Sequence, residues 1–497
     1  MPLRQLTAAR RFAPGIDLGP IGPVVGVALF VLSLAMMPPL LVDLWSGTPD
    51  WGVFALASLV TGFAGGSLVL MRGLRPIVRL ETRQAFLLTT LVWLVTTAFA
   101  SLPFLFSGLN LTLADAFFEA MSGITTTGST VITGLDEAPP GILLWRSLLQ
   151  WLGGVGIIVM GVAVLPFLNV GGMQLFRTES SERTEKALPR AAQIAWATVV
   201  VYFGLTAACA LAYGLAGMPV FEALTHAMTT LATGGYATSD ASIAGFGSPG
   251  IEWIAILFMT LGGVPLMRIV QALRGRPRLL WRDVQVRWYL SIILCVALLL
   301  FAWVHLTGQA TGHTGVRHAL FSTVAVVTGT GYASVDYNGW GTFPVVVFFF
   351  LTCVGGCTGS TTGGIKVFRF VILYEVSQVQ ALRLIRPNGV FRPAYNGRPI
   401  SDAAAISVLA FVFLFALVFA VVTALLAAMG LEFLTAMSAA ITALANVGPG
   451  LGEIVGPAGN FASIPDGAKW ILAFAMLLGR LELFTVLILF TPAFWRG

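Results

Sequence analysis

Long apolar runs recur along the whole chain, separated by short segments rich in glycine, arginine or acidic residues. The runs lie near 22–42, 51–71, 85–107, 141–168, 192–216, 250–270, 285–306, 341–372, 401–429 and 468–494. Each is close to the ~20 residues that a helix needs to cross a ~30 Å hydrocarbon layer. The pattern therefore predicts ten spanning helices and an all-α polytopic membrane protein.

Four shorter apolar stretches lie between these runs. They read "DAFFEAMSGITTTGST" (115–130), "PVFEALTHAMTTLATGGYATSD" (219–240), "HALFSTVAVVTGTGYASVD" (318–336) and "EFLTAMSAAITALANVGPGLGE" (432–453). Each begins with about ten to fourteen residues of helical character, too short to span and suited to a re-entrant half-helix. Each then turns through a Thr/Asn–Gly element and leaves through a polar loop. The unit of helix, half-helix, glycine turn and helix is repeated four times, and the first two helices stand outside it. The expected divisions are 1–84 for that two-helix extension, then 85–190, 191–284, 285–400 and 401–497 for the four repeats. A unit with two full spans returns the chain to the same side. All four turns then face one way, as parallel repeats, whereas inverted repeats need an odd number of spans.

Composition agrees with a bilayer solvent. The chain is 57% hydrophobic and 10% charged, with a mean hydropathy of +0.88. Its net charge of +6 is explained by placement and not by nucleic acid. Arg72, Arg75, Arg79 and Arg83 follow the second run. Arg177, Arg183, Lys186 and Arg190 follow the fourth. Arg274, Arg276, Arg278, Arg282 and Arg287 follow the sixth, and Lys366, Arg369, Arg383, Arg386, Arg392 and Arg398 surround the end of the eighth. The alternate loops are acidic or nearly free of Lys and Arg, with Arg146 and Arg317 as exceptions. The positive-inside rule then puts both termini in the cytoplasm and the glycine turns on the outer side. Arg4, Arg10 and Arg11 ahead of the first run resemble a signal n-region, but no cleavage-like site follows Pro38-Pro39, so a retained helix is expected. Cys209, Cys295, Cys353 and Cys357 all lie within apolar runs. Cys353 and Cys357 are expected four apart on one helix, as packing residues and not as a metal site.

Irregular backbone at membrane depth is tolerated where it is buried in protein or lines water. One glycine turn of this kind reads as a connection. Four in register point to a filter in which backbone carbonyls replace the hydration shell of a cation. Glycine reaches the necessary backbone angles cheaply, and threonine adds a hydroxyl acceptor. The half-helices would aim their partly negative C-terminal ends at the axis. The expected filter residues are Thr126, Thr127 and Gly128; Thr233, Gly234 and Gly235; Gly329, Thr330 and Gly331; and Asn446, Val447 and Gly448. The shared Gly-Tyr-Ala pairs Gly235 with Gly331.

These motifs resemble the TrkH family of bacterial potassium-uptake subunits, within the superfamily that includes KtrB and the plant and fungal Trk-type transporters. The resemblance rests on "SGITTTGST", "ATGGYATSD", "TGTGYASVDYNGWG", "NVGPGLGEIVGP" and "GGCTGSTTGGIKVFR", and covers nearly the whole chain. It implies four pseudo-symmetric helix–pore-helix–helix units around one K⁺ pathway, a homodimer in the bacterial inner membrane, and a TrkA-like cytosolic nucleotide-binding regulatory partner. Sodium-admitting plant relatives carry serine at the first filter glycine, so Gly128 implies a preference for K⁺. The turns differ from one another, with Asn446 where the first has threonine.

Two further features bear on gating. "CVGGCTGSTTGGIKVFRF" (353–370) interrupts the eighth run with Gly355, Gly356, Gly359, Gly363 and Gly364. It reads as a flexible loop below the third turn, and the resemblance implies an intramembrane gate there. Arg480 lies midway along the tenth run, where a lone cation is costly. It either faces the path as an electrostatic barrier or meets a carboxylate or free carbonyls on a neighbouring helix. Lys366 is read as a similar barrier or as a positive-inside anchor. His226, His305, His313 and His318 have no metal-ligand spacing. No HExxH, GxSxG or Walker pattern occurs, so no enzyme activity and no organic cofactor are expected in this chain. The expected function is K⁺ uptake through a channel-like filter, with Na⁺- or H⁺-coupled K⁺ symport as the alternative and K⁺ as the only bound metal.

Overall fold

The structure is a computed structural model that describes residues 17–72, 81–163, 171–172 and 187–496. Expectations that rest on Arg4, Arg10, Arg11, Arg75, Arg79, Arg177, Arg183 and Lys186 lie outside the described residues. Among the described residues, seven helices are long and apolar enough to cross a membrane, or up to nine if each of two bent helix pairs is one span. Among the described residues the only β-structure is a two-residue antiparallel ribbon, β1 (Ala394–Tyr395) with β2 (Arg398–Pro399), which the all-α expectation lacked.

The first span runs from Ile21 to Ser46 as α1 (Ile21–Ala35) and α2 (Met37–Ser46), with Pro38 and Pro39 in the first turn of α2. Gly47, at φ +73°, ends it and turns the chain into α3 (Trp51–Arg72). Small residues let α1 and α3 approach closely. A Cβ on Gly26 would lie 2.6 Å from the Gly65 carbonyl, and one on Gly65 would lie 2.7 Å from the Gly26 carbonyl. Ser33 and Ser58 bond across the same seam, each hydroxyl donating to the other's carbonyl at 2.8 and 2.9 Å. Leu56, Leu59 and Phe63 stay exposed, as an apolar surface facing lipid should.

Three of the expected continuous spans are broken. The run 250–270 forms α10 (Pro249–Gly262) and α11 (Leu266–Leu273), bent by 99°. Pro265 has no N–H to continue the ladder, and this sets the elbow. The run 341–372 forms α15 (Thr342–Thr352) and α16 (Val367–Ile385), joined by the glycine-rich loop. Cys357 therefore lies in that loop, and not one turn beyond Cys353 on a helix. The run 468–494 forms α19 (Asp466–Arg480) and α20 (Phe484–Leu487), and the bend at this break is 109°. Glu482 and Leu483 hold φ of +65° and +48° at that break.

The four short stretches form α6 (Leu113–Ile124), α9 (Val220–Leu231), α14 (Gly312–Val327) and α18 (Phe433–Ala445). At 1.5 Å per residue these are ~18–24 Å long, less than a bilayer core. Thr112 and Asp115 form a capping box at the start of α6. The C-terminal halves of all four helices are buried. Long helices flank them, including α7 (Pro140–Ala163), α8 (Ala187–Leu215), α13 (Val284–Leu306) and α17 (Asp402–Ala428).

The α1–α3 seam yields a stability prediction. Gly65→Leu should force the helices apart and destabilise the protein by about 1–3 kcal/mol, the usual range for overpacking. The check is a lowered melting temperature of the detergent-purified protein; an unchanged value would show that the seam can open without loss.

Candidate functional site

Each short helix ends by putting one residue into the left-handed region. Thr126, Thr233 and Asn446 hold φ of 52–53°, and Gly329 holds 73°. Two residues on, Gly128, Gly235 and Gly331 are again left-handed at +89°, +79° and +72°, while Gly448 is not. Three of the turns close with the same bond: Thr127 N to Ser122 O, Gly234 N to Thr229 O, and Val447 N to Thr442 O, at 2.9–3.0 Å. In the third turn, Gly331 N reaches Ala325 O at 2.9 Å. The grouping expected from sequence thus corresponds to one backbone shape with a local variation.

The turns pack on one another in a closed ring. A Cβ on Gly128 would collide with the carbonyl of Gly234, and one on Gly235 with the carbonyl of Thr330. One on Gly331 would lie 2.9 Å from Gly448 N, and one on Gly448 would lie 3.0 Å from Gly128 O. First touches second, second touches third, third touches fourth, and fourth touches first. Side chains cross the last joint: Ser129 Oγ donates to Gly448 O at 2.8 Å, and Asn446 Nδ2 donates to Thr127 Oγ1 at 3.0 Å. All twelve expected residues lie in this ring. A cavity of about 290 Å³ opens above it, lined by Gly128, Ser129, Gly235, Tyr236, Gly331, Gly448 and the loops that leave the turns.

Behind the first two turns lies a buried ion pair that the sequence reading missed. Arg146 Nε donates to Glu119 Oε1 at 2.9 Å, and both side chains are excluded from solvent. The guanidinium also donates to Ala237 O at 2.8 Å and to Thr130 Oγ1 at 3.1 Å, and lies 4.0 Å from the Tyr236 ring centre. Glu119 accepts from Val131 N at 2.9 Å. The signal was present: Arg146 and Arg317 broke the charge alternation, and Arg317 likewise pairs with Glu252 at 2.9 Å. At the start of α6, burial opposes the Asp115 charge, but Lys469 at 2.6 Å and Thr112 outweigh it and hold the carboxyl below its usual range.

The glycine-rich loop lies against the other side of the ring. Thr361 Oγ1 donates to Leu231 O at 3.0 Å and accepts from Thr233 Oγ1 at 3.1 Å. A Cβ on Gly363 would lie 2.9 Å from Asn446 Cβ, and the space at Gly355 is filled by Gly363 and Gly364. Gly356 takes part through its N–H, 3.2 Å from Thr362 Oγ1. Gly359 O accepts from Leu266 N at 3.0 Å, which ties the loop to the α10–α11 elbow.

Arg480 is not midway along a continuous helix. It ends α19, is 3% exposed, and donates to Thr361 O at 2.9 Å and to Gly153 O at 3.5 Å. Its partners are backbone carbonyls, one on the loop and one on α7. Lys366 is neither an anchor at the surface nor a free barrier: it is buried, and its Nζ lies 3.4 Å from Glu482 Oε1. Arg369 completes that cluster by bonding Glu482 and donating to Gly171 O at 2.9 Å. Among the described residues no group of three or more His, Cys, Asp or Glu is placed to hold a metal ion.

A multi-pass helical protein centred on a ring of buried backbone turns has the architecture of a membrane transporter. Comparison with known proteins gives the family. Residues 54–496 match the family TrkH, described as cation transport protein, and the chain belongs to that family. It is 47% identical over 494 residues to the Trk system potassium uptake protein TrkI of Halomonas elongata, covering 99% of each chain. It is 39% identical over 479 residues to the Trk system potassium uptake protein TrkH of Salmonella typhimurium, covering 95% of this chain and 98% of that one. The crystal structure of the potassium transporter TrkH from Vibrio parahaemolyticus superposes with a TM-score of 0.89 at 37% identity, covering 97% of this chain and all of the other. The family transports ions and is not an enzyme family.

The buried Glu482 cluster generates a second prediction. Glu482→Gln leaves Lys366 and Arg369 buried without their carboxylate, a change that typically costs about 3–5 kcal/mol. Folded yield and melting temperature should both fall; wild-type values for both would show that the cluster contributes no stability.

Proposed function

We propose that this chain carries K⁺ into the cell through the four-turn ring, in the manner of a channel. The observation that supports this most is ring closure: four turns from one chain meet edge to edge, with backbone carbonyls at each joint. Carbonyl rings of this kind replace a cation's hydration shell. Its relatives, potassium uptake proteins of Trk systems, point to K⁺ as the ion. In this reading Thr126–Gly128, Thr233–Gly235, Gly329–Gly331 and Asn446–Gly448 bind K⁺, and α6, α9, α14 and α18 are the half-helices of four parallel repeats. Residues 1–84 form the two-helix extension, with repeats divided at 190/191, 284/285 and 400/401.

The loop of Gly355, Gly356, Gly359, Gly363 and Gly364 acts as the gate, and Arg480 holds it shut while placing a positive charge below the filter. A TrkA-like nucleotide-binding subunit acts on this gate from the cytosol, in a homodimer of the bacterial inner membrane with both termini cytoplasmic. A coupled symporter would use a carboxylate free to exchange partners. Glu482 is the buried carboxylate beside the gate, and it is engaged by Lys366 and Arg369. This favours the channel-like reading over Na⁺- or H⁺-coupled symport.

Purified protein in liposomes should take up Rb⁺ under a membrane potential alone, without a Na⁺ or proton gradient. Uptake that demands either gradient would replace the channel reading with symport. Gly128→Ser should lower the Rb⁺/Na⁺ uptake ratio about tenfold, because a side chain at strongly positive φ adds ~1–2 kcal/mol of strain and displaces the neighbouring turn. An unchanged ratio would remove Gly128 from the filter. Arg480→Ala should raise Rb⁺ uptake per folded molecule severalfold with the ratio preserved; normal or lower uptake would end the barrier assignment.

A further inference from the structure

The four turns are not equally stiff. The middle residue is Thr127 in the first, Thr330 in the third and Val447 in the fourth, all β-branched and restricted at χ1. In the second it is Gly234, followed directly by Gly235. A Gly-Gly peptide has the widest conformational freedom available to the chain. Gly234 itself is not left-handed, so its backbone does not demand glycine.

What demands glycine there is Gln150. A Cβ built on Gly234 would collide with the side-chain amide of Gln150, whose Nε2 lies 2.7 Å from that point. Gln150 comes from α7, one turn beyond Arg146, and is fully buried. Its Nε2 donates to Gly234 O at 2.7 Å, and its Oε1 accepts from Tyr236 N at 3.1 Å. The two bonds grip the backbone on both sides of Gly235. The gripped carbonyl, Gly234 O, is also the atom that abuts Gly128 at the joint between the first and second turns.

We infer that Gln150 is a positioning residue for ion selectivity, a side chain lent by the first unit to occupy the place of the one missing at Gly234. The inference rests on the filter reading above. If Gln150 did no more than satisfy two buried backbone groups, its loss would lower yield and leave discrimination between ions alone. If it sets the orientation of the Gly234 carbonyl, its loss changes the ratio of ions that pass, because selectivity depends on the number and placement of carbonyl dipoles.

The test is an exchange of side chains, read as the Rb⁺/Na⁺ uptake ratio in liposomes, which does not depend on how much protein is folded. Gln150→Ala should lower the ratio about tenfold, the effect of freeing one buried hydrogen-bonded group. Gly234→Thr should also lower it, since the new side chain has no room. The double variant Gln150→Ala/Gly234→Thr should recover to within about twofold of wild type, because the threonine fills the vacated space and restores β-branched stiffness. Gln150→Met keeps the volume without the amide and should behave as Gln150→Ala, which covers the case in which the alanine variant does not reconstitute. A wild-type ratio in Gln150→Ala or Gln150→Met, alongside a lowered ratio in Gly128→Ser, overturns the inference and leaves the filter standing. Wild-type ratios in all three overturn both. A double variant no better than Gln150→Ala overturns the exchange.

Discussion

Backbone amides and carbonyls that stop short of the membrane surface have no bulk water to bond, and this constraint organises the protein. Four helices end inside the structure, each releasing carbonyls that a longer helix would have satisfied. Part of the answer is local: left-handed residues at 126, 233, 329 and 446 fold the chain back so that its amides reach carbonyls of the last helical turn. The rest comes from neighbouring units. Ser129 serves Gly448, Asn446 reaches Thr127 and Met476, Gln150 serves Gly234, and Thr361 serves Leu231. The first, second and fourth turns are thus each completed by another part of the chain.

The buried charges follow the same logic on either side of the ring. Above it, Glu119 and Arg146 neutralise each other while their remaining donors and acceptors brace Thr130, Val131 and Ala237. On its other side, Lys366 and Arg369 share one carboxylate, Glu482, while Arg480 is held by the carbonyls of Thr361 and Gly153. In the proposed reading, a neutral brace on one side of the ring and a net positive cluster on the other would admit cations to the ring and slow their exit.

The proposed gate and the proposed filter are mechanically close. Thr361 touches the end of α9 and the second turn, and its carbonyl holds Arg480. Gly359 and Cys357 are bonded to the α10–α11 elbow through Leu266 N and Gly263 O. The loop therefore cannot move without releasing Arg480, the elbow, or both. This is how a signal delivered at the ends of these helices would reach the centre of the protein.

The sequence alone determined the solvent and the four glycine turns, while ten expected continuous spans became seven among the described residues, or up to nine with each bent pair as one. Hydrophobic runs of bilayer length, basic clusters after alternate runs and four copies of a Thr/Asn–Gly turn are local properties, and each is written in consecutive residues. Left-handed glycines at 128, 235 and 331 were legible because a turn of that shape restricts residue choice at its own position. The breaks were less legible. Pro265 announced the elbow to any reader of helix stops, but the 109° bend after Arg480 has no proline or glycine at Glu482-Leu483, and tertiary contacts with Lys366 and Arg369 hold it. The partners of buried charges were illegible for the same reason. Glu119 and Arg146 lie 27 residues apart and Arg369 and Glu482 lie 113 apart, and nothing in either local pattern names the other. Only the packed structure brings such groups within reach, because pairing across units is chosen by whichever charge or free carbonyl remains unsatisfied when the helices close around the ring.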